Sequence, residues 1–465
     1  LWETERTDLG RYSGKKLHFI GLGGIGMSAI ASILLKRGYN ISGSDIAESA
    51  VLKKLEQDGA RVFYTQSAQN ITDDIDIVVL SSAIHADNEE YLAAVAKNKT
   101  VIHRSDMLAY LMEDKKAICV AGAHGKTTTS SMIALMLDMA QKEPTIIVGG
   151  EIRQLGSNAK YGKSELLVAE ADESDGSFVK LHPWMTVVTN IECDHMDHYH
   201  NLAEIQDAFA RFVALTGEKG VNIFCADSAS ALALAQKAPG EVLTYGFSDK
   251  AQVQGRNWQA KDGQNTAEVY YKGEYLGVLS LMVPGEHNIQ NALGACACGL
   301  YLGLDFAQIS AALSSFIGAK RRFQILTKAG GITVVDDYAH HPTEVAATIA
   351  AAQSCAPKRL IAVFQPHRYS RTLHLAKDFA DCFHDVDQVI LTDVYAAGED
   401  QIEGVSSQLI LDKVTNQHKS YVPLDDLEDT LLQTAQKGDI ILMMGAGNIW
   451  RHSVKLAQMI EEKYK

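Results

Sequence analysis

Long apolar runs are missing from this sequence. None approaches the ~20 residues that carry a helix across a bilayer, so no membrane span is expected. A basic excess is missing too: 43 lysines and arginines stand against 57 aspartates and glutamates, a formal net charge of −14. That balance opposes a nucleic-acid partner, since nonspecific affinity for DNA or RNA rests on a basic surface. A local basic pocket for phosphates remains compatible with it. The seven cysteines, scattered from Cys119 to Cys382, contain no CxxC pair. An odd, dispersed set argues against a disulfide framework and fits a reducing, cytoplasmic setting. Cys296 and Cys298 form a CxC in a small-residue stretch that reads as helix packing rather than a metal clip. The polar, mixed-charge LWETERTDLG does not resemble a secretory signal, and no short tandem repeat is present.

What is present is the mix of a globular protein, 46% hydrophobic and 22% charged. At 465 residues the chain exceeds the ~250–300 that one core supports, so two or three domains are expected. The apolar run LHFIG leads into GLGGIGMS and AIASILLKRG, a strand, tight turn and helix stopped at Gly38, and YNISGSD follows as a second strand. IDIVVLSSAI reads as a later buried strand entering a polar loop. The pattern returns at AICVAGAHGKTTT, with ELLVAE and MTVVTNI as further strands. Residues 241–283 read as irregular β structure, and PGEHNIQNALGACACGLYLGL as a helix entered through Pro284 and Gly285. A third series, ITVVDDYAHHPTE, RLIAVFQPHRYSRT, QVILTDVYAAGE and DIILMMGAGNI, again places polar residues just after strands. In an open parallel sheet such loops share one edge, where ligands bind. The fold class is therefore α/β, with mostly parallel sheets flanked by helices.

Three groups of residues carry chemistry. Gly21, Gly23 and Gly26 match GxGxxG, with Asp45 about twenty residues on, a pattern that lets a diphosphate approach a helix N-terminus. It suits UDP as well as NAD, so a nicotinamide dehydrogenase is the competing reading of this motif alone. Gly125, Lys126 and Thr127 match the final GK[ST] of a phosphate-binding loop, where the lysine reaches the β- and γ-phosphates and the hydroxyl meets Mg²⁺. The full pattern wants a glycine at Val120; the upstream glycine here is Gly122, so the loop is a shortened one. Glu170, Asp172, Glu173 and Asp175 crowd the end of an apolar strand, and Asp194, His195, Asp197 and Tyr199 follow the next. Hard carboxylate oxygens beside a triphosphate suit Mg²⁺, whereas the absence of histidines four apart on a helix removes support for zinc hydrolysis. His18, His182 and His384 read as structural or surface residues.

GLGGIGMS, GSD, GAHGKTTT, EADESDGSF, TNIECDHMDHY, GEHNIQNALGA, RRF, DDYAHHPTE and FQPHRYSRT resemble, in order and nearly end to end, the motifs of the Mur ligase family. GLGGIGMS and DDYAHHPTE are most similar to its alanine-adding branch. So is EIQDAFARF, where Phe209 and Ala210 occupy the region in which other branches carry a carbamylated lysine. The nearest rival, a ligase attaching a recycled peptide, usually differs in the first glycine loop. Ala123 departs from the family's threonine before HGKTT.

The resemblance implies three domains: a Rossmann-like UDP-substrate domain over 1–106, a P-loop ATPase over 107–319 and a Rossmann-like amino-acid domain over 320–465. It implies an ATP-dependent ligase joining L-alanine to UDP-N-acetylmuramate, with Mg²⁺ or Mn²⁺, as a monomer or homodimer. Gly23, Gly24, Ile25, Gly26, Met27, Ser28, Ser44, Asp45, Ser81, Ala83 and Ile84 would hold the UDP substrate. Gly122, Ala123, His124, Gly125, Lys126, Thr127, Thr128, Asn288, Asn291, Arg322 and Asp337 would bind ATP. Thr127, Glu170 and His195 would hold the metal, and His340, His367 and Arg371 the amino acid. Lys126, His195, His341 and Arg368 would be catalytic.

Overall fold

In the computed structural model, residue 12 and residues 14–194, 198–261 and 263–464 are described; His195 lies outside them. The strands form three sheets. By compactness the chain divides into two units, Leu1–Gln254 with Tyr270–Leu276 and Asn291–Ala312, and Gly255–Val269 with Gly277–Gln290 and Leu313–Lys465.

The first sheet consists of β1 (Lys16–Ile20), β2 (Asn40–Ser44), β3 (Arg61–Phe63), β4 (Ile77–Leu80) and β5 (Thr100–His103) in the order β3-β2-β1-β4-β5. Every pairing is parallel. β1 is central, and the chain leaves it for opposite sides of the sheet, which opens a crevice at its carboxyl end. The turn there leads into helix Ile25–Lys36, which ends as expected before Gly38 in the left-handed region at φ +86°.

The second sheet is built around β6 (Lys116–Ala121). It continues with β7 (Thr145–Ile152), β8 (Ser157–Lys160), β9 (Leu166–Glu170), β10 (Pro183–Val188), β11 (Val221–Cys225) and β12 (Glu241–Gly246). These run β12-β11-β10-β6-β9-β7-β8, with β8 alone antiparallel. β6 and β10 are buried over nearly their whole length, which is why their sequences are continuous apolar runs rather than alternating ones. Residues 241–283 are more regular than expected: after β12 come β13 (Val253–Lys261), β14 (Gln264–Tyr271) and β15 (Glu274–Leu281). Lys272 at φ +50° and Gly273 at φ +88° make the last connection a tight turn with both central residues left-handed.

One apolar cluster spans the first two sheets. It includes Leu17 and Phe19, passes through Met107, Leu111 and Met112 of helix Arg104–Met112, and reaches Ala117, Phe178, Phe209 and Phe212. That helix runs across residue 106, so the first two sheets are joined by packed structure. Phe178 stacks on Phe212 at 4.8 Å and meets Phe209 edge-on at 5.2 Å. Cys296 and Cys298 are fully buried, and the Cys298 thiol lies 3.5 Å from the Met185 sulfur, in keeping with packing.

The third sheet, in the second unit, has β16 (Gln324–Thr327), β17 (Thr333–Asp337), β18 (Arg359–Phe364), β19 (Gln388–Leu391), β20 (Lys419–Tyr421) and β21 (Asp439–Met444). The order is β16-β17-β21-β18-β19-β20, parallel except for β16, with apolar clusters on both faces. Among the described residues, no helix is long and apolar enough to cross a membrane.

The first sheet contains a fully buried polar network. Glu90, capped into its helix by Asn88, accepts from Ser44 Oγ at 2.5 Å and Asn70 Nδ2 at 2.5 Å, and pairs with His18 Nε2 at 3.4 Å. Burial pushes its pKa up, but the bonds from His18, Ser44 and Asn70 outweigh that and hold it below its ordinary 4.5. Its stabilising contribution is therefore present above pH 4.5 and is lost as pH falls. Glu90→Ala should cost about 3–5 kcal/mol in urea unfolding, because it strands buried partners. Glu90→Gln should flatten the acid limb of the stability–pH curve.

Candidate active site

The glycine turn after β1 is closed by its own strand neighbours. Gly21 and Leu22 N–H both donate to the Ser44 carbonyl at 2.9 and 2.8 Å, and Gly23 N–H donates to Asp45 Oδ2 at 2.8 Å. A Cβ on Gly23 would stand 2.8 Å from that same oxygen, so the close approach of backbone to carboxylate requires glycine. Ile25 is exposed, whereas Met27 and Ser28 are buried, and Ser28 Oγ returns to the Gly24 and Ile25 carbonyls. Ser44 is fully buried, its hydroxyl engaged by Glu90. Ser81, Ala83 and Ile84 follow β4 in a turn closed by Ile84 N–H to the Ser81 carbonyl. Ile84 packs toward Gly21, which brings these loops to one edge of the sheet.

The shortened phosphate loop runs from β6 through Gly122–Gly125 into helix Lys126–Met139. Gly122 sits at φ +140°, and a Cβ there would lie 2.0 Å from Thr189 Oγ1. Gly125 sits at φ +83°, with Asn291 Oδ1 2.5 Å from its Cβ position. Thr189 and Asn190, just past β10, clamp the loop: both donate to the His124 carbonyl, at 2.6 and 2.9 Å, and Asn190 Oδ1 accepts from His124 N–H at 2.9 Å. Asn291 also accepts from Thr129 Oγ1 at 3.2 Å, whereas Asn288 donates to the Pro284 carbonyl at 2.6 Å. Ala123 contributes backbone alone, its carbonyl accepting from Lys126, so the missing threonine leaves the turn intact. Thr128 is half-buried on the first turn of the helix.

Lys126 Nζ donates to the Gly122 carbonyl at 2.6 Å and to Glu173 Oε1 at 2.8 Å. Burial alone would lower its pKa, but Glu173, Asp172 and Glu170 outweigh that and raise it, so the ammonium stays charged. Thr127 Oγ1 donates to Glu170 at 2.9 Å, and Glu170 also accepts from Gly149 N–H at 2.9 Å. A hydroxyl and a carboxylate this close form a hard-oxygen donor set that fits Mg²⁺. The other two carboxylates of the segment face the first sheet: Asp172 pairs with Arg104 at 3.0 Å, and Asp175 accepts from Ser82 Oγ at 2.6 Å. Burial raises the Asp175 pKa, but bonds from Ser177 and Ser82 bring it down to about 2.

In the second unit, arginines and histidines gather at the carboxyl end of its sheet. Arg321 bonds Asp336 at 3.2 Å and lies over the Tyr338 ring at 4.9 Å; Arg322 lies over the same ring at 5.3 Å. His340 stands edge-on to His367 at 5.8 Å and pairs with Glu344 at 3.1 Å. His367 stacks on Tyr395 at 5.5 Å and lies 3.5 Å from Arg371. Burial, then His340 and the arginines Arg371, Arg368 and Arg321, push its pKa down to about 3, so its ring is neutral at working pH. His341 is buried at the N-cap of helix Pro342–Ser354. Arg321, Phe323 and Arg368 have φ of +60°, +45° and +72°, strain that bulky residues hold only where surrounding structure imposes it. Asp337 is a brace: it accepts from Phe323 and Ala339 N–H at 2.6 and 2.7 Å, and burial raises its pKa to about 6 against Arg322 and those amides.

Sequence reading missed Arg104, Thr189 and Asn190. The last two directly follow an apolar strand in TNIECD, which was the available signal. Arg104 had none, because its partner lies far along the chain, whereas Ser82 falls within the Ser81–Ile84 stretch assigned to the UDP substrate.

A diphosphate-type turn, a strand-to-helix phosphate loop with a charged lysine and hard-oxygen donors, and a cationic third domain define a multidomain nucleotide-using α/β enzyme. The chain belongs to the Mur ligase family. The models of the family's catalytic, middle and glutamate ligase domains match residues 16–116, 120–299 and 321–447. It is 48% identical over 455 residues to UDP-N-acetylmuramate–L-alanine ligase of Desulforamulus reducens, covering 97% of this chain and 98% of that one. The enzyme of that name from Pelotomaculum thermopropionicum is 46% identical over 456 residues, covering 97% and 99%. The crystal structure of UDP-N-acetylmuramate-alanine ligase MurC from Thermotoga maritima is similar, with a TM-score of 0.83 at 29% identity over 96% of this chain and 99% of that one.

Lys126→Ala should lower turnover by roughly three orders of magnitude or more while thermal unfolding stays cooperative, because the ammonium is the loop's main phosphate charge. Near-normal turnover would remove Lys126 from the site.

Proposed function

We propose that this chain is a UDP-N-acetylmuramate–L-alanine ligase, which uses ATP to join L-alanine to the carboxylate of UDP-N-acetylmuramate in peptidoglycan precursor synthesis, releasing ADP and phosphate. The observation that carries the reading is the charged Lys126 at the mouth of a shortened phosphate loop, in a chain 48% identical to a ligase of that name. The domain limits 1–106, 107–319 and 320–465 belong to this reading, as does a cytoplasmic location, where ATP and UDP-sugars are made.

A carboxylate is a poor acyl donor. Transfer of the γ-phosphoryl group makes an acyl phosphate, the neutral amine of alanine attacks its carbonyl, and phosphate leaves from the tetrahedral intermediate. Lys126 and the loop N–H groups stabilise charge spread over the transferred oxygens. Thr127, Glu170 and His195 would hold Mg²⁺, which when bound supplies neutralising charge to the phosphate oxygens. The glycine turn, with Asp45 and Ser81–Ile84, orients the UDP moiety. Arg368 and Arg371 favour the carboxylate of the incoming amino acid, and His340 and His367 line the same site. His341 accepts the amine proton.

Phosphate release should require UDP-N-acetylmuramate and an amino acid together, and in a panel L-alanine should exceed glycine by about 10–200-fold in kcat/KM, the worth of one methyl contact. Release driven by a peptide rather than an amino acid would point to the peptide-attaching branch, and reduction of NAD⁺ would overturn the ligase reading. His341→Ala should lower turnover by about 10²–10⁴-fold at neutral pH and recover as pH rises, where more of the amine is neutral. A pH profile parallel to wild type would remove that role.

A further inference from the structure

The acidic segment after β9 divides its side chains between two neighbours in strict alternation. Glu170 and Glu173 face the phosphate loop, through Thr127 at 2.9 Å and Lys126 at 2.8 Å. Asp172 and Asp175 face the first sheet, through Arg104 at 3.0 Å and Ser82 at 2.6 Å. Ser82 sits inside the Ser81–Ile84 turn, and its hydroxyl also meets His103 Nε2 at 3.1 Å. His103 in turn caps helix Arg104–Met112 with Asp106, which pairs with Lys180 at 3.1 Å.

The segment between these contacts is braced along its length. Ser174 N–H donates to Asp172 at 3.1 Å, Ser177 N–H to Asp175 at 3.0 Å and Gly176 N–H to the Glu173 carbonyl at 2.9 Å, while the buried Tyr199 hydroxyl donates to that same carbonyl at 2.7 Å. The Glu173 backbone and the Asp175 carboxylate thus sit on one braced turn, so a shift of this turn on nucleotide binding carries both together.

We propose that Asp175 is a positioning residue that, through Ser82, ties the UDP-substrate turn to the phosphate loop, so that nucleotide and UDP-sugar bind with linked affinities. This rests on the function proposed above. Linkage is reciprocal: a nucleotide that tightens the UDP-sugar must itself be tightened by it. Asp175 also pairs with His103 Nε2 at 3.7 Å, but among the described residues Ser82 is its contact inside the Ser81–Ile84 turn.

The test is calorimetric titration of UDP-N-acetylmuramate into full-length protein with and without a non-hydrolysable ATP analogue, and of the analogue alone, for wild type, Asp175→Asn, Ser82→Ala and the double variant. In wild type the analogue should tighten UDP-sugar binding about tenfold, within the usual range of coupling between sites. In each single variant that factor should fall below about twofold while affinity for the analogue alone and the melting temperature stay near wild type, and the double variant should add little. In steady state, KM for the UDP-sugar should rise about tenfold with kcat changed less than about threefold. Full coupling retained in Ser82→Ala would overturn the proposal. So would an Asp175→Asn variant whose nucleotide affinity falls in step with its melting temperature, the mark of a structural role alone. A wild type that binds the analogue but no UDP-sugar would count against the function proposed above, not against this link.

Discussion

The Lys126 ammonium, held between the Gly122 carbonyl and the Glu173 carboxylate, is the contact on which the rest of the central domain depends. Its side chain is 13% exposed and that of Glu173 only 3%, so each charge is costly without the other. Keeping the pair together requires the acidic segment to leave its strand beside the phosphate loop. The sheet arranges this by setting β9 directly against β6, with Val120 opposite Glu170. From there Glu173 is one turn of chain away from Lys126, and Glu170 meets Thr127. The clamp of Thr189 and Asn190 comes from β10, the strand on the other side of β6. A short loop, with Gly122 in place of a glycine at position 120, is thus held by both flanking strands instead of by its own length.

The same economy governs the first sheet. Asp45 closes the glycine turn with a backbone bond, and the residue before it, Ser44, is locked to the buried Glu90. The third domain uses the opposite electrostatic logic. There Arg321 and Arg322 gather over the Tyr338 ring, whose face attracts cations, and His367 is kept neutral by burial and then by the neighbouring His340 and arginines. The positive-φ backbone at Arg321, Phe323 and Arg368 lies in this cluster.

Much of this was legible in sequence because it is local. Each glycine turn follows an apolar run within a few residues, so LHFIGLGGIG and AICVAGAHGK announce strand, turn and helix by composition alone. The burial of Cys296 and Cys298 was legible in the same way, from their small apolar neighbours. The region 241–283 was misjudged as irregular because its strands are half-exposed and broken by glycines, which weakens the alternating pattern. The edge strands β16 and β20 were missed because four and three residues are too few to show a period.

The roles of individual polar residues divide along the same line. That Lys126 opens a helix after a glycine turn and that Glu170 stands near it follow from motif and strand end, which sequence alone determines. Which carboxylate of EADESDGSF turns to the lysine and which to Ser82 was decided only by tertiary structure, because the chain past β9 is a turn with no fixed side-chain period and the partners lie 43 to 93 positions away. Asp337 and Ser44 make the point from the other side. Each ends its strand and reads as a ligand contact; in the structure Asp337 also braces backbone amides and Ser44 also meets a buried glutamate. A strand-end position sets the edge a residue reaches; the neighbouring chain that covers or opens that edge sets what it can touch.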